Sequence, residues 1–185
     1  MKYLVLCEGP NEKAVVEMLI ESNNFIYGVD DLIGLTPYFG RKLDNSHPAY
    51  NEVSAYSGQL KIIFIGDTMN GTVTIPKEFK EKIEPDQVEK YHTTPELEML
   101  IIINEGKLDD YNKQYNKYKY KPKTYAKRNI EYDGVMYNGE TSFWRNYYEH
   151  RPEVLLANIK EYHRKKGKGL ASKRRKTLFS LIHQI

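Results

Sequence analysis

Two carboxylates in this sequence stand directly after runs that are typical of buried strands. Glu8 follows the apolar run Lys2–Cys7, and Asp67 follows the run at residues 61–65 after Gly66. Functional groups of open α/β sheets collect just past the carboxyl ends of the strands. If the two strands are neighbours, the two acids meet, and oxygen ligands without a His/Cys cluster suit Mg²⁺ or Mn²⁺. The alternative for Glu8 is a solvent-facing carboxylate on a turn.

The runs and turns around these acids predict an α/β sheet of short parallel strands. Asn11 is expected to cap a helix whose apolar residues recur at helical spacing from Val15 to Ile20. The β-branched and aromatic run at 61–65 is typical of a central strand that is buried on both faces. Further strands are predicted at 32–35 and 87–92, and further helices at 48–60, 76–83, 95–105, 142–149 and 152–165, with a break at Gly167-Lys168-Gly169.

A third acid is expected near the start of the predicted helix at 95–105. Glu96 lies in its first turn, where the helix dipole also stabilises a carboxylate, and Glu98 lies beside the apolar stripe. Positions two apart on a helix diverge by about 200°, so the two acids cannot face the same way. Both are candidates, with Glu96 preferred. His92 precedes this turn and is a candidate general base or phosphate ligand, or else a structural histidine.

The segment from Leu4 to Glu12, followed later by a hydrophobic strand that ends in Gly66-Asp67, resembles the TOPRIM fold. That fold occurs in topoisomerases, bacterial primases, small maturation ribonucleases and nucleases of the overcoming-lysogenization-defect class. The resemblance covers about residues 1–105. It implies a Rossmann-like sheet in which Glu8 and Asp67 bind divalent metal and act on phosphodiesters. It also implies a role in phage defence, with an ATPase as a partner protein.

The second TOPRIM motif, Asp-x-Asp, is incomplete because Met69 stands at the position of its second acid. Either Asn70 or a later acid completes the site, or metal binding is weak, or the catalytic role is lost. A substitute for the missing acid is available in the segment Thr93-Thr94-Pro95-Glu96-Leu97-Glu98. This segment resembles the Pro-x-(x)-Glu segment of compact TOPRIM proteins from phage-defence operons. The segment at 142–148 is also similar to those proteins.

Charge is divided unevenly along the chain. Residues 1–106 carry 9 Lys+Arg and 17 Asp+Glu, whereas residues 107–185 carry 19 Lys+Arg and 8 Asp+Glu. An acidic part that gathers metal and a basic part that binds a polyanion explain this pattern, and a solvated lysine-rich surface is the alternative. Lysines supply phosphate contacts, and the tyrosines interleaved with them, Tyr118, Tyr120 and Tyr125, supply stacking faces for unpaired bases. The predicted nucleic-acid-binding residues are Lys119, Lys121, Lys123, Lys127, Arg128, Lys173, Arg174, Arg175 and Lys176.

Composition excludes several classes of protein. The chain of 185 residues is 40% hydrophobic, too much for a disordered protein, and no stretch approaches the roughly 20 apolar residues that a membrane span needs. Because Cys7 is the only cysteine, it forms no internal disulfide. We expect its side chain to be buried and to pack as a small hydrophobic group. The N-terminal run is too short and too soon acidic for a signal peptide, which favours a cytoplasmic protein.

Together these features predict a TOPRIM-like catalytic core at 1–106 and a basic, mainly helical extension at 107–185 that packs on it. The expected function is that of an Mg²⁺- or Mn²⁺-dependent endonuclease that hydrolyses DNA or RNA. The alternative is a catalytically weak or inactive nucleic-acid-binding subunit of a defence complex with a partner ATPase. Self-association into a homo-oligomer is left open, and no membrane partner is expected.

Overall fold

Four parallel strands form the central sheet of the computed structural model, which describes residues 1–67, 72–83, 85–93, 96–171 and 176–183. The order across the sheet is β2-β1-β3-β4, and all three pairings are parallel. Within the described residues the chain is therefore an α/β protein with a Rossmann-like sheet. The strands are β1 (Lys2–Cys7), β2 (Tyr38–Phe39), β3 (Leu60–Gly66) and β4 (Val88–His92).

Helices flank this sheet and dominate the second half of the chain. The first half contributes α1 (Pro10–Glu21), α2 (Tyr50–Ala55) and α3 (Met99–Asn104). The second half contributes α4 (Leu108–Tyr118), α5 (Pro122–Asn129), α6 (Thr141–Tyr148) and α7 (Pro152–Ala171). Between α5 and α6 lies a hairpin of β5 (Glu131–Tyr132) and β6 (Val135–Met136).

The alternation of side chains along β1 and β3 creates two separate hydrophobic cores. Val5 and Ile63 point to one face, and Leu4 and Ile62 point to the other. The first face is covered by α1, α3, α6 and α7, and the second by α2 and short 3₁₀ segments. Burial on both faces is the reason that these strands are apolar at nearly every position, as expected for a parallel sheet.

The basic second half shares the larger of these two cores with the sheet. Trp144 of α6 and Leu155 of α7 are fully buried in the same cluster as Val5 and Ile63. The Trp144 ring packs against Tyr137 at a centroid distance of 6.0 Å and against Tyr148 at 6.2 Å. Hydrophobic contact therefore continues across the predicted boundary at residue 106, and the helical extension lies on the face of the sheet that carries α1.

The structure corrects the predicted second strand. Residues 32–35 contain a 3₁₀ segment, Ile33–Leu35, and the second strand is β2. The reason is that Gly34 and Leu35 have φ values of 67° and 59°, which extended backbone does not allow. The sequence does not predict β2, because two residues are too few to show a periodic pattern.

Several helix boundaries also differ from prediction. The helix predicted at 48–60 is limited to α2, because Leu60 already pairs with Lys2 at the start of β3. At 76–83 the structure has only a 3₁₀ turn, Lys77–Phe79. α7 continues through Gly167 and Gly169 to Ala171, since a glycine in a helix costs only about 1 kcal/mol relative to alanine and does not by itself end one.

No helix within the described ranges has the length and apolar character required to cross a lipid bilayer.

We predict that Trp144→Ala lowers the free energy of unfolding by about 3–5 kcal/mol, the usual cost of removing a buried aromatic ring. Urea denaturation followed by far-UV circular dichroism measures this loss. Phe39→Ala is the matched control, because Phe39 is 53% exposed, and we expect a change of no more than about 0.5 kcal/mol. A similar loss in both variants would contradict the assignment of Trp144 to the core.

Candidate functional site

Glu8 lies at the carboxyl end of β1 and places its carboxylate over the end of β3. Its backbone N–H donates to the carbonyl of Ile65 at 2.8 Å, which extends the β1–β3 pairing by one residue. A Cβ atom added to Gly66 would lie 2.3 Å from Oε2 of Glu8. Only glycine leaves room for this carboxylate, which therefore rests against the residue that precedes Asp67.

Arg41 supplies a cation to this carboxylate. It follows β2 by two residues, and its guanidinium forms an ion pair with Glu8. The same guanidinium lies 5.6 Å from the centre of the Phe64 ring. Because β2 is the neighbour of β1, the short second strand brings a positive charge to the position where the sequence predicted a metal ligand.

Glu12 lies within electrostatic range of three other acids. Burial raises the pKa of its carboxyl, and the negative charges of Asp67, Glu98 and Glu8 raise it further. These three acids come from the ends of β1 and β3 and from the start of α3, so the fold brings them within electrostatic reach of one helical turn. Glu12 is four residues after Glu8, in the first turn of α1.

Glu98 is the most deeply buried acid of the group, with 6% of its surface exposed. The hydroxyl of Tyr137 donates to Oε1 of Glu98 at 2.6 Å. Burial and this neighbouring carboxylate raise the pKa of Tyr137, so the phenol keeps its proton and remains a donor. The hydrogen bond ties the acid to the segment between the β5–β6 hairpin and α6.

Glu96 faces the basic half of the chain. Its Oε2 accepts a hydrogen bond from the backbone N–H of Lys123, in the first turn of α5, at 2.8 Å. Burial raises the pKa of Glu96, the Lys123 bond opposes this, and the charges of Glu98 and Asp67 add to the rise. Glu96 is thus linked both to the acids and to the helix that carries predicted phosphate contacts.

Asp67 and His92 have contrasting positions. Asp67 is exposed, directly after β3. His92 is buried at the end of β4 and lines a cavity of about 30 Å³, the space of about one water molecule, together with Glu96 and His163. The buried hydroxyls of Thr93 and Thr177 in this cavity have no hydrogen-bond partner among the described protein atoms.

The donor chemistry of the acids suits a hard divalent cation, but their arrangement does not form a closed site. Carboxylate oxygens are the ligands that Mg²⁺ and Mn²⁺ prefer. Nevertheless, across the parts of the chain that the structure describes, no three His, Cys, Asp or Glu side chains are grouped so that they could hold a metal ion. Met69 and Asn70, on which completion of the second motif depends, lie outside these parts.

Five of the predicted basic residues belong to one described surface. Lys119, Lys121, Lys123, Lys127 and Arg128 are all exposed on α5 and the turn before it. A Cβ atom on Gly139 would lie 3.1 Å from Cε of Lys127 and 3.3 Å from Cε of Lys123, and the Gly139 carbonyl accepts a hydrogen bond from Asn11. This basic surface therefore adjoins the first turn of α1, which carries Glu12.

The second predicted basic cluster is mostly beyond the described residues, because Lys173, Arg174 and Arg175 fall outside them. Lys176 is described, and it forms an ion pair with Glu89 and lies over the Tyr91 ring. Its role in the structure is to hold the C-terminal segment against β4. Tyr125 also differs from expectation, because it is fully buried and cannot stack on a base.

Sequence reasoning missed Glu12, Arg41 and Tyr137 as members of the site. The position of Glu12 could have been predicted from its spacing. It is four residues after Glu8, at the start of a helix, and one helical turn brings it back to the side of the helix that faces Glu8. The positions of Arg41 and Tyr137 could not, because each reaches the acids through a segment far away in sequence. Asn11 also has a different role from the predicted cap: Gly9 is the N-cap of α1, and the Asn11 amide oxygen accepts a hydrogen bond from Thr141 at 3.0 Å.

A scan against protein-family models found no match to this chain, and searches among curated proteins and among solved structures found no significant match either.

Cys7 carries no chemistry in this arrangement. It is fully buried at the end of β1, and burial together with the negative charge of Glu12 raises the pKa of its thiol well above the usual value. The thiol therefore stays protonated and packs as a small hydrophobic group, as the sequence predicted.

We predict that Glu12→Gln raises the melting temperature at pH 8 and that this gain disappears as the pH falls towards 4. A carboxyl whose pKa is raised by folding binds protons more readily in the native state, so native stability rises as the pH falls through that pKa. Glutamine removes the charge at every pH. Differential scanning calorimetry between pH 4 and 8 measures the effect.

Glu131→Gln is the control for this pH series, because Glu131 is exposed on the hairpin and is not among the charges that raise the pKa of Glu12. We expect its melting temperature to follow that of the wild type. A gain from Glu12→Gln that is the same at every pH, or a loss at pH 8, would show that Glu12 is not repelled by its neighbours.

Proposed function

We propose that this chain is a TOPRIM-like, metal-dependent nuclease whose active centre is the group of acids at the carboxyl end of the sheet. The observation that carries the proposal is that Glu8 and Asp67 follow two adjacent parallel strands and, with Glu98, lie within electrostatic range of Glu12. Like charges brought together under partial burial oppose folding unless cations neutralise them. A protein gains from such an arrangement when a bound cation is part of its function.

The basic surface beside the acids supports the same proposal. An acidic centre alone repels a polyanion, and five exposed cations on α5 and its preceding turn offset that repulsion. The Glu96 carboxylate contacts the backbone of Lys123, so that the acids and the basic surface are adjacent. A phosphate chain lying on α5 would pass directly in front of the acids.

Individual roles follow from the positions of the side chains. Glu8 and Asp67 stand at the ends of adjacent strands and are the proposed metal ligands, with Glu96 or Glu98 as the third acid. Mg²⁺ or Mn²⁺ would supply an activated water and neutralise charge that develops on the phosphate. Arg41 is the counter-ion of Glu8, and a bound metal ion would have to replace it. Tyr137 keeps Glu98 oriented within the core.

A second candidate is a nucleic-acid-binding subunit without hydrolytic activity, which works in a defence complex with a partner ATPase. Two observations favour it. A guanidinium already neutralises Glu8, and no closed metal-ligand group exists among the side chains of the described ranges. Met69 in place of an acid agrees with this candidate.

Hydrolysis separates these two candidates. We predict that the wild-type chain cleaves plasmid DNA, single-stranded DNA or tRNA in Mg²⁺ or Mn²⁺ but not in EDTA, and that Glu8→Gln lowers the rate at least about 100-fold. Asp67→Asn should have a similar effect. Gel electrophoresis of timed reactions measures the cleavage, and Glu131→Gln is the control that keeps full activity. Tight binding without cleavage under every metal would favour the binding subunit.

Metal affinity gives an independent test of the site. We predict that the wild type binds Mn²⁺ in isothermal titration calorimetry and that Arg41→Ala binds it about 2- to 5-fold more tightly. The reason is that the guanidinium competes with the cation for Glu8, and a partly exposed ion pair is worth a factor of that size. Arg41→Lys keeps the charge and should resemble the wild type. Weaker Mn²⁺ binding by Arg41→Ala would show that Arg41 does not compete for this carboxylate.

A further inference from the structure

The end of α4, the turn that follows it and α5 bring two tyrosine rings and two cations together on the protein surface. Tyr118 and Tyr120 stack with centroids 5.3 Å apart and planes inclined by 24°. The Lys117 ammonium lies 4.8 Å from the centre of the Tyr118 ring, and the Arg128 guanidinium lies 4.5 Å from the centre of the Tyr120 ring. We call these four residues the aromatic ladder.

The ladder leaves a large part of its ring surface in water. Tyr118 is 51% exposed, and nearby Tyr115, under the Lys119 ammonium at 5.3 Å, is 44% exposed. Exposed tyrosines ordinarily lose rotamer freedom when they bind a partner, which weakens binding. Here cation–π contacts and the ring stack already hold the side chains, so a planar group that replaces a lysine on a ring face orders fewer side chains than it would on free tyrosines.

Charge around the ladder is of one sign. Residues 111–130 contain seven Lys and Arg and no Asp or Glu. A segment that combines aromatic faces with an excess of positive charge is matched by a polyanion that also presents planar rings. Nucleic acid has both, but in a duplex the ring faces are covered by base stacking, and they become available only in a single strand.

The ladder is also connected to the acids. Lys121 follows Tyr120, is the N-cap of α5 and lies near enough to Glu96 to lower its pKa. The backbone N–H of Lys123, two residues further along α5, donates a hydrogen bond to the Glu96 carboxylate. A strand whose bases stack on the ladder would therefore run along α5 towards the acidic group.

We infer that this chain takes single-stranded nucleic acid, with unpaired bases stacked on Tyr118 and Tyr115 and phosphates on the cations of α5. This inference rests on the proposed function, because both place nucleic acid on α5. It adds that the nucleic acid is single-stranded. DNA and RNA single strands share the chemistry that the ladder recognises, so both are included in the test.

The test measures the fluorescence anisotropy of labelled oligonucleotides of about 12 nucleotides, within the usual range of site sizes. The affinity of the full chain is measured for single-stranded DNA, for single-stranded RNA and for the duplex of the same sequence. All three measurements are made in EDTA, which prevents hydrolysis. We expect one or both single strands to bind at least 10-fold more tightly than the duplex. Equal affinity, preference for the duplex, or no binding at all overturns the inference.

Variants separate stacking from charge. Tyr118→Ala should weaken single-strand binding about 5- to 100-fold and leave duplex binding nearly unchanged, whereas Tyr118→Phe keeps the ring and the affinity. Lys123→Gln should weaken binding of single strand and duplex alike, by a few-fold, because it removes only a phosphate contact. An equal loss of both ligands in Tyr118→Ala would show that the ring does not stack on bases.

The outcome is separable from that of the proposed function. Binding in EDTA does not require hydrolysis, so a chain that binds single strands but cleaves nothing would contradict the nuclease proposal and leave this inference standing. A chain that cleaves but binds duplex and single strand equally would contradict this inference alone.

Discussion

Repulsion among carboxylates is the constraint on which the organisation of this protein depends. Glu8 and Asp67 follow two adjacent parallel strands, and the first turn of α1 and the N-cap of α3 add Glu12 and Glu98. Charges so close under partial burial cost free energy unless other groups compensate them. The structure compensates with an arginine after β2, a phenol before α6 and a backbone amide at the start of α5. Each of these groups comes from a different segment, so the acids determine how those segments are held.

This constraint explains why the basic half of the chain is integrated with the sheet. Asn11 donates to the Gly139 carbonyl, and Tyr137 donates to Glu98, so the segment before α6 is tied to both α1 and α3. Behind these polar contacts, Trp144 and its aromatic neighbours continue the hydrophobic core of the sheet. The division of charge in the sequence is consequently not a division in space. Lys123 and Lys127 lie against Gly139, whose carbonyl is bonded to Asn11, the neighbour of Glu12 in the chain.

The two candidate functions differ in the state of the same carboxylates. A hydrolase needs Glu8 and its neighbours to accept a divalent cation, whereas a binding subunit can leave Glu8 with Arg41 permanently. The basic surface and the aromatic ladder serve either function, because attraction of a phosphate chain and stacking of bases do not depend on catalysis. The two functions therefore differ in whether the Glu8 carboxylate is neutralised by the Arg41 guanidinium or by a metal ion.

The amino-acid sequence by itself determined the α/β class, β1, β3 and β4, and the position of the leading acids at strand ends, because burial on both faces leaves a continuous apolar run and a turn follows it. The pair Asp133-Gly134 is also typical of a turn, and both residues have positive φ where they join β5 to β6. Only the tertiary structure decided that β2 lies at Tyr38–Phe39, that Arg41 pairs with Glu8 and that Tyr125 is buried while Tyr115 is exposed. The physical reason is that a short strand, a distant ion pair and the buried side of a polar helix leave no periodic signal in the sequence. They are determined by which surfaces pack together, and that depends on the whole chain.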